Sequence, residues 1–220
     1  RYGIDYHEFI TRDDVDIVII ATYVSTHLSI LRDCVVAGKH VLCEKPLAPT
    51  PKQTVELFEA AKEKGVFLME AYAYLHSPFV TALKKEIEEG TIGEIRYIES
   101  QFLTSYYDKS NIRLHKENYG GAVYDLGCYN TSMLLKLLED MPSRVKAMAQ
   151  YDENGVDIYT AALLNYENDV RASITCGMIF EKDKPHRYDR LYIHGTKGDI
   201  KSDTKFNQEG NASYTLIIEG

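Results

Sequence analysis

Positive charge is scarce: 25 Lys and Arg stand against 33 Asp and Glu, for a net charge of -8. Nothing here supplies the field that a phosphate backbone requires, which argues against nucleic acid as a direct ligand. No run approaches the roughly 18 apolar residues of a membrane span, and residues 1–9 are too polar for a signal core, so no membrane partner is expected. Cysteine is sparse too. Cys34, Cys43, Cys128 and Cys176 show neither C-x-x-C nor metal-ligand spacing, which predicts no metal site and suits a reducing cytoplasm. Internal repeats, low-complexity tracts and long flexible linkers are absent. So is the G-x-G-x-x-G turn that cradles a dinucleotide pyrophosphate.

What is present suffices for a well-buried core, since 220 residues carry 45% hydrophobic content, a size at the border between one domain and two. Val15 and Ile17 to Ala21 form an apolar, β-branched run, which predicts a parallel strand covered on both faces. Thr26 is positioned to cap a helix through Leu28, Leu31, Cys34 and Val35, closed by Gly38. Val41 to Cys43 reads as a second strand. Thr50, Pro51 and Gln53 form a capping box ahead of a helix through Val55, Phe58 and Ala61 that ends at Gly65. Val66 to Met69 reads as a third strand. Three strands joined by two helices predict parallel βαβαβ order.

From Ser77 and Pro78 a helix runs through Leu83 and Ile87 to Gly90, and beyond it strands dominate. The boundary therefore falls near residues 72–92. Candidate strands are Ile95 to Phe102, Val145 to Tyr151, Ile158 to Tyr166, Val170 to Cys176, Leu191 to His194 and Tyr214 to Ile218, with a hairpin turn at Glu167, Asn168 and Asp169. A single helix from about Ala122 to Leu138 interrupts them.

Three patterns lie where strand ends meet loops, the place where open α/β sheets bind ligands. Thr22, with His27 beyond it, is either a turn residue or a ligand contact. Glu44 and Lys45 precede Pro46 at the end of a buried strand. They are either a solvated pair worth about 0 to 1 kcal/mol or a lysine turned into a cleft. Gly120 and Gly121 lead into a helix on which Asp125 and Tyr129, four residues apart, share a face. Asp125 is either a first-turn carboxylate complementing the helix dipole or a chemical group, and Tyr129 either a core aromatic or its partner.

In order and separation, Asp16 to Thr22, Gly38 to Pro46 with its Glu-Lys-Pro, Gly90-Thr91-Ile92-Gly93-Glu94-Ile95 and Gly120 to Tyr129 resemble the Gfo/Idh/MocA-type oxidoreductase family. That family includes glucose-fructose oxidoreductase, inositol dehydrogenase and dimeric dihydrodiol dehydrogenase, and the resemblance covers essentially the whole chain. Tyrosine rather than histidine at 129 resembles the sugar and diol branch. The fold implied is α/β: the C-terminal part of a Rossmann-like parallel sheet over residues 1–75, without its first βαβ. An α+β substrate-binding and oligomerisation domain with a large, mostly antiparallel open sheet then follows over 76–220, short of its C-terminal end. The implied activity is NAD- or NADP-dependent hydride transfer to or from a carbinol of a sugar, polyol or diol.

By that resemblance Lys45, Asp125 and Tyr129 are catalytic, Thr22, His27, Glu44 and Lys45 bind cofactor, and Arg113 and Asp125 bind substrate. A homodimer or homotetramer through the open sheet is expected. Two departures stand out, Tyr23 where the family has proline and Leu75 where many members have arginine. Because the glycine turn is missing, these 220 residues are expected to bind nicotinamide nucleotide weakly. A non-catalytic sensor of the same fold and a stable inactive fragment are the alternatives.

Overall fold

A computed structural model describes residues 5–181 and 186–218. The chain divides into two compact units, Arg1–Tyr72 with Glu117–Tyr119, and Ala73–Lys116 with Gly120–Gly220.

In the first unit α1 (His7–Ile10) precedes β1 (Ile17–Ile20), α2 (Val24–Val36), β2 (His40–Glu44), α3 (Pro51–Lys64) and β3 (Leu68–Ala71). The strands lie in the order β1-β2-β3, all parallel. Thr50 caps α3 by accepting from the Gln53 amide at 3.3 Å, Pro51 occupies the first turn, and Gly65 closes the helix at φ 67°. Leu31, Cys34, Val41, Cys43 and Leu57 form the core against which Val18 and Leu28 pack. Each large aliphatic side chain buried this way contributes about 1.5–3 kcal/mol.

Three expectations need correction. β1 is not covered on both faces, because Ile17 and Ile19 are 61% and 70% exposed; only its Val18 and Ile20 side meets the helices, and alternation turns Ile17 and Ile19 away. Thr26 does not cap α2, which starts two residues earlier; its hydroxyl donates to the Tyr23 carbonyl instead. The third strand lies two residues later than the sequence suggests, which places Glu70 within it.

The second unit begins with a 3-10 turn (Ala73–His76), then α4 (Pro78–Glu88), β4 (Ile95–Ser105), a π-helical turn (Val123–Gly127) continuing into α5 (Cys128–Leu138), and β5 (Arg144–Tyr151). It closes with β6 (Asp157–Asn165), β7 (Arg171–Phe180), β8 (Arg187–Gly195), β9 (Gly198–Ser202) and β10 (Thr215–Ile218). Among the described residues seven strands form one sheet, β10-β9-β8-β4-β7-β6-β5, in which only the β4 and β7 pair runs parallel. The hairpin at 167–169 closes with the Tyr166 amide on the Val170 carbonyl and Asp169 at φ 63°. β9 went unforeseen because Gly198-Asp199-Ile200-Lys201-Ser202 carries one apolar residue.

One sheet face, with Ile98, Phe102, Leu164, Cys176 and Ile193 buried, lies under the π turn and α5. The register then assigns the opposite face to Tyr97, Glu99 and Gln101 of β4, Ser173 and Thr175 of β7, Leu163 of β6, and Arg190 and Tyr192 of β8. Outward positions of β7 are Arg171, Ser173 and Thr175, and the outer face is largely polar and aromatic with apolar side chains such as Met148 and Leu163 toward one edge.

Candidate active site

In the first unit, the candidate residues Thr22, Glu44 and Lys45 lie at the carboxyl ends of the parallel strands, where successive backbone groups run out of ladder partners. Thr22, just past β1, is exposed, and its hydroxyl lies 2.7 Å from the Thr26 hydroxyl. Glu44 ends β2 and is exposed, whereas Lys45 is half-buried and joins Pro46 through a cis peptide. His27 has no exposed surface; Nδ1 lies 3.0 Å from the Pro46 carbonyl and Nε2 lies 3.2 Å from the Thr22 carbonyl. Its ring thus ties the end of β1 to the turn beyond β2, which places it behind that surface rather than on it.

Glu70 meets the same turn from the other side, its Oε1 accepting from the Leu47 amide at 2.7 Å. Burial raises its pKa, against the opposing pull of the Leu47 amide, the Tyr72 hydroxyl and the Lys45 and His27 charges. Neither Glu70 nor this use of His27 was anticipated. The available signal was a carboxylate ending an apolar run, which a strand drawn only to Met69 leaves out.

In the second unit Gly120 and Gly121 set the start of the helix that carries Asp125 and Tyr129. A side chain on Gly120 would strike the Arg113 carbonyl, and one on Gly121, at φ 120°, would strike the Asp157 carboxylate. These glycines admit two close neighbours. The Gly121 amide donates to the Arg113 carbonyl at 2.9 Å, and Asp157 accepts from the Val123 amide and the Thr160 hydroxyl, each at 2.9 Å. Burial raises the Asp157 pKa despite these donors.

The helix itself opens with a π turn, in which the Cys128 amide donates to the Val123 carbonyl, so the purely α-helical spacing assumed for Asp125 and Tyr129 does not hold. Such turns are rare and concentrate at functional sites.

Asp125 gathers two neighbours. Arg113 Nε lies 2.9 Å from Oδ1, and the Tyr107 hydroxyl donates to Oδ2 at 3.1 Å. Arg113 also lies over the Tyr107 ring, 5.4 Å from its centroid. Burial first, and the Asp125 charge second, push the Tyr107 phenol up to about 12. Tyr107 is thereby a fixed donor and not a base.

The Tyr129 ring sits among Tyr74, Phe102 and Phe206 at centroid distances of 5.4–5.5 Å. Arg187, unforeseen, lies 4.2 Å over Phe102 and grips buried Asp189 through two 2.6 Å bonds. The structure therefore brings Arg113 and Asp125 together in one unit, and Thr22, His27 and the Lys45-Pro46 turn together in the other. A cavity of about 820 Å³ in the second unit shares Tyr74 and Phe206 with the aromatic cluster, but Arg113, Asp125 and Tyr129 are not in its lining. The candidate site is therefore marked by converging polar side chains and not by this cavity.

Among the described residues no group of acidic, cysteine or histidine side chains could hold a metal ion, and no helix is long and apolar enough to cross a membrane. The donors at the strand ends, including the exposed Thr22 hydroxyl and half-buried Lys45, suit the ribose and nicotinamide side of a dinucleotide.

These two units define an NAD-binding Rossmann-type oxidoreductase architecture with a C-terminal domain built on a large open sheet. Residues 4–72 match the oxidoreductase family model with an NAD-binding Rossmann fold, and residues 80–201 match the GFO/IDH/MocA C-terminal domain. The chain belongs to the GFO/IDH/MocA oxidoreductase family.

Mouse (Mus musculus) trans-1,2-dihydrobenzene-1,2-diol dehydrogenase is 33% identical over 200 residues, which is 90% of this chain and 57% of the relative. The dTDP-3,4-didehydro-2,6-dideoxy-alpha-D-glucose 3-reductase of Actinomadura kijaniata is 33% identical over 216 residues, 97% of this chain and 63% of the relative. Levoglucosan dehydrogenase in complex with NADH and levoglucosan superposes with TM-score 0.83 at 25% identity, covering 99% of this chain and 65% of that one. A 3-ketoreductase from Actinomadura kijaniata in complex with NADP and TDP-benzene gives 0.82 at 26%, covering 97% and 68%. The chain thus spans about three fifths of the curated relatives it matches. The sensor alternative draws no support from these relatives.

Proposed function

We propose that the protein is an NAD(P)-dependent oxidoreductase that interconverts a carbinol and a carbonyl on a sugar, polyol or diol. The observation that carries this reading is the Asp125 cluster. A half-buried carboxylate holding an arginine and a phenol presents charged and neutral hydrogen-bonding groups beside the helix of Tyr129, which suits a substrate rich in hydroxyls. A nicotinamide, when bound, supplies or takes the hydride.

The protein's part is to bind, orient and move one proton. Tyr129 is the proposed acid-base at the substrate hydroxyl. A tyrosine ordinarily titrates near 10, so it needs a neighbouring positive charge to act near neutrality. Lys45 is proposed to bring that charge and a hydrogen bond to the substrate oxygen. Asp125 and Arg113 orient the substrate. Thr22, Glu44 and Lys45 face the cofactor, with His27 supporting them from behind. Pairing through the outer face of the large sheet, as a homodimer or homotetramer, and residence in the cytoplasm complete the proposal; free thiols at all four cysteines suit a reducing compartment.

The test is appearance of reduced nicotinamide with a panel of sugars, polyols and trans-diols. Tyr129→Phe and Asp125→Asn should each lower kcat/KM by about 10²-fold or more. Full activity in both variants, or no oxidation of any panel member, overturns the proposal.

A further inference from the structure

We infer that Glu70 is a positioning residue for Lys45: it anchors the Lys45-Pro46-Leu47 turn and places a negative charge at the strand ends from which that lysine extends. The inference rests on the functional reading of Lys45 given above. Three observations carry it.

First, β2 and β3 are parallel neighbours with Cys43 opposite Glu70, so Glu70 sits at the strand end beside the turn. Second, its carboxylate accepts from the Leu47 amide at 2.7 Å, while His27 engages the adjoining Pro46 carbonyl at 3.0 Å. The residues after Lys45 are thus held on both sides, by fully buried His27 and half-buried Glu70. Third, Lys45 and His27 both act on the Glu70 carboxyl through their charges. Coupling of this kind is reciprocal: if Lys45 favours the ionised Glu70, then ionised Glu70 favours the protonated Lys45.

The groups facing Glu70 are Lys45 and Cys43 from the β2 side, His27 from α2 and Tyr72 beyond β3. Of these, Lys45 is half-buried and carries its charge on a long stem, whereas His27 and Cys43 are fully buried. A carboxylate at this place therefore does two separable things. It accepts one backbone hydrogen bond, which an amide could also do, and it adds a negative charge, which an amide could not.

Glu70→Gln in the full chain separates them. Reductive ¹³C-methylation of the lysines, with Lys45→Arg to assign the resonance, gives the Lys45 titration directly. Glu70→Gln should leave the thermal midpoint near that of the parent and lower the Lys45 pKa by about one unit. It should also reduce kcat by about tenfold with little change in KM, and Glu70→Asp should return the Lys45 titration toward the parent.

If Glu70→Gln does not fold, the reciprocal measurement stands in. In Lys45→Met, the ¹³C-carboxyl titration of Glu70 should move upward. Unchanged Lys45 titration in folded Glu70→Gln, or unchanged Glu70 titration in Lys45→Met, overturns the inference even in an active enzyme. Coupled titrations in a protein that oxidises no carbinol sink the functional reading instead, and the catalytic half of the inference with it.

Discussion

Asp157→Ala should destabilise the second unit by about 2–3 kcal/mol, because this carboxylate caps the start of the helix that carries Asp125 and Tyr129. Its Oδ2 accepts from the Val123 amide and the Thr160 hydroxyl at 2.9 Å, and the Ala122 amide also donates to it. Alanine leaves all three donors without this acceptor at a place where Ala122 is fully buried. Losing a helix cap costs about 0.5–2 kcal/mol and a buried donor left unmade costs about 1–3 kcal/mol, while removing a desolvated carboxylate returns part of the sum. For a chain of this size each kcal/mol shifts the midpoint by about 2–4 °C, so thermal unfolding followed by circular dichroism should show a drop of about 4–12 °C.

Asp157→Asn keeps one acceptor and should fall between the parent and alanine. Burial holds the folded pKa of Asp157 above its unfolded value. The proton-linked part of its contribution is therefore complete below the unfolded pKa and is lost as pH rises through the folded one, while the hydrogen bonds that it accepts remain. Asp157→Asn should flatten that slope. A midpoint for Asp157→Ala within about 1 °C of the parent, or identical losses for Ala and Asn, would refute the capping argument.

Arg113→Leu should raise KM for a hydroxylated substrate about tenfold or more, the effect of losing a charge-assisted hydrogen bond, while kcat changes less; an unchanged KM contradicts its placement at the substrate. Burial first pushes the thiols of Cys34, Cys43 and Cys176 up to about 11, 12 and 12, so Ellman's reagent should label no more than one cysteine, Cys128, in the native protein and all four in denaturant. Rapid native labelling of two or more would show that the core assignment is wrong. Replacing Met148 and Leu163 together by Lys should slow sedimentation by dissolving the proposed assembly, and an unaltered sedimentation coefficient removes the outer face from consideration.

The elements whose local chemistry agrees with their tertiary setting were legible from sequence. Thr50, Pro51 and Gly65 bracket α3 because capping is a short-range effect. The parallel order of β1, β2 and β3 follows from handed crossovers of sufficient length. Legibility failed where the deciding partner is distant. Glu70 reads as the polar end of a run until Leu47 is brought to it, and β9 exists because β8 and β10 supply its partners. The π turn depends on Asp157 and the glycines before it, which a helical wheel cannot represent. Lys45, Asp125 and Tyr129 were singled out by motif, yet nothing in the motif reports that Asp125 holds Arg113 and Tyr107, or that three aromatic rings surround Tyr129.

The central proposal is that Lys45 and Tyr129 serve one reacting hydroxyl. A double-mutant cycle on kcat/KM for carbinol oxidation tests it most directly, using Lys45→Met, Tyr129→Phe and the pair. Residues that act as a unit are strongly non-additive. The predicted result is a large loss in each single variant and a double variant no worse than about tenfold below the poorer single. Losses that multiply across the cycle, or a single variant with parental activity, would contradict it.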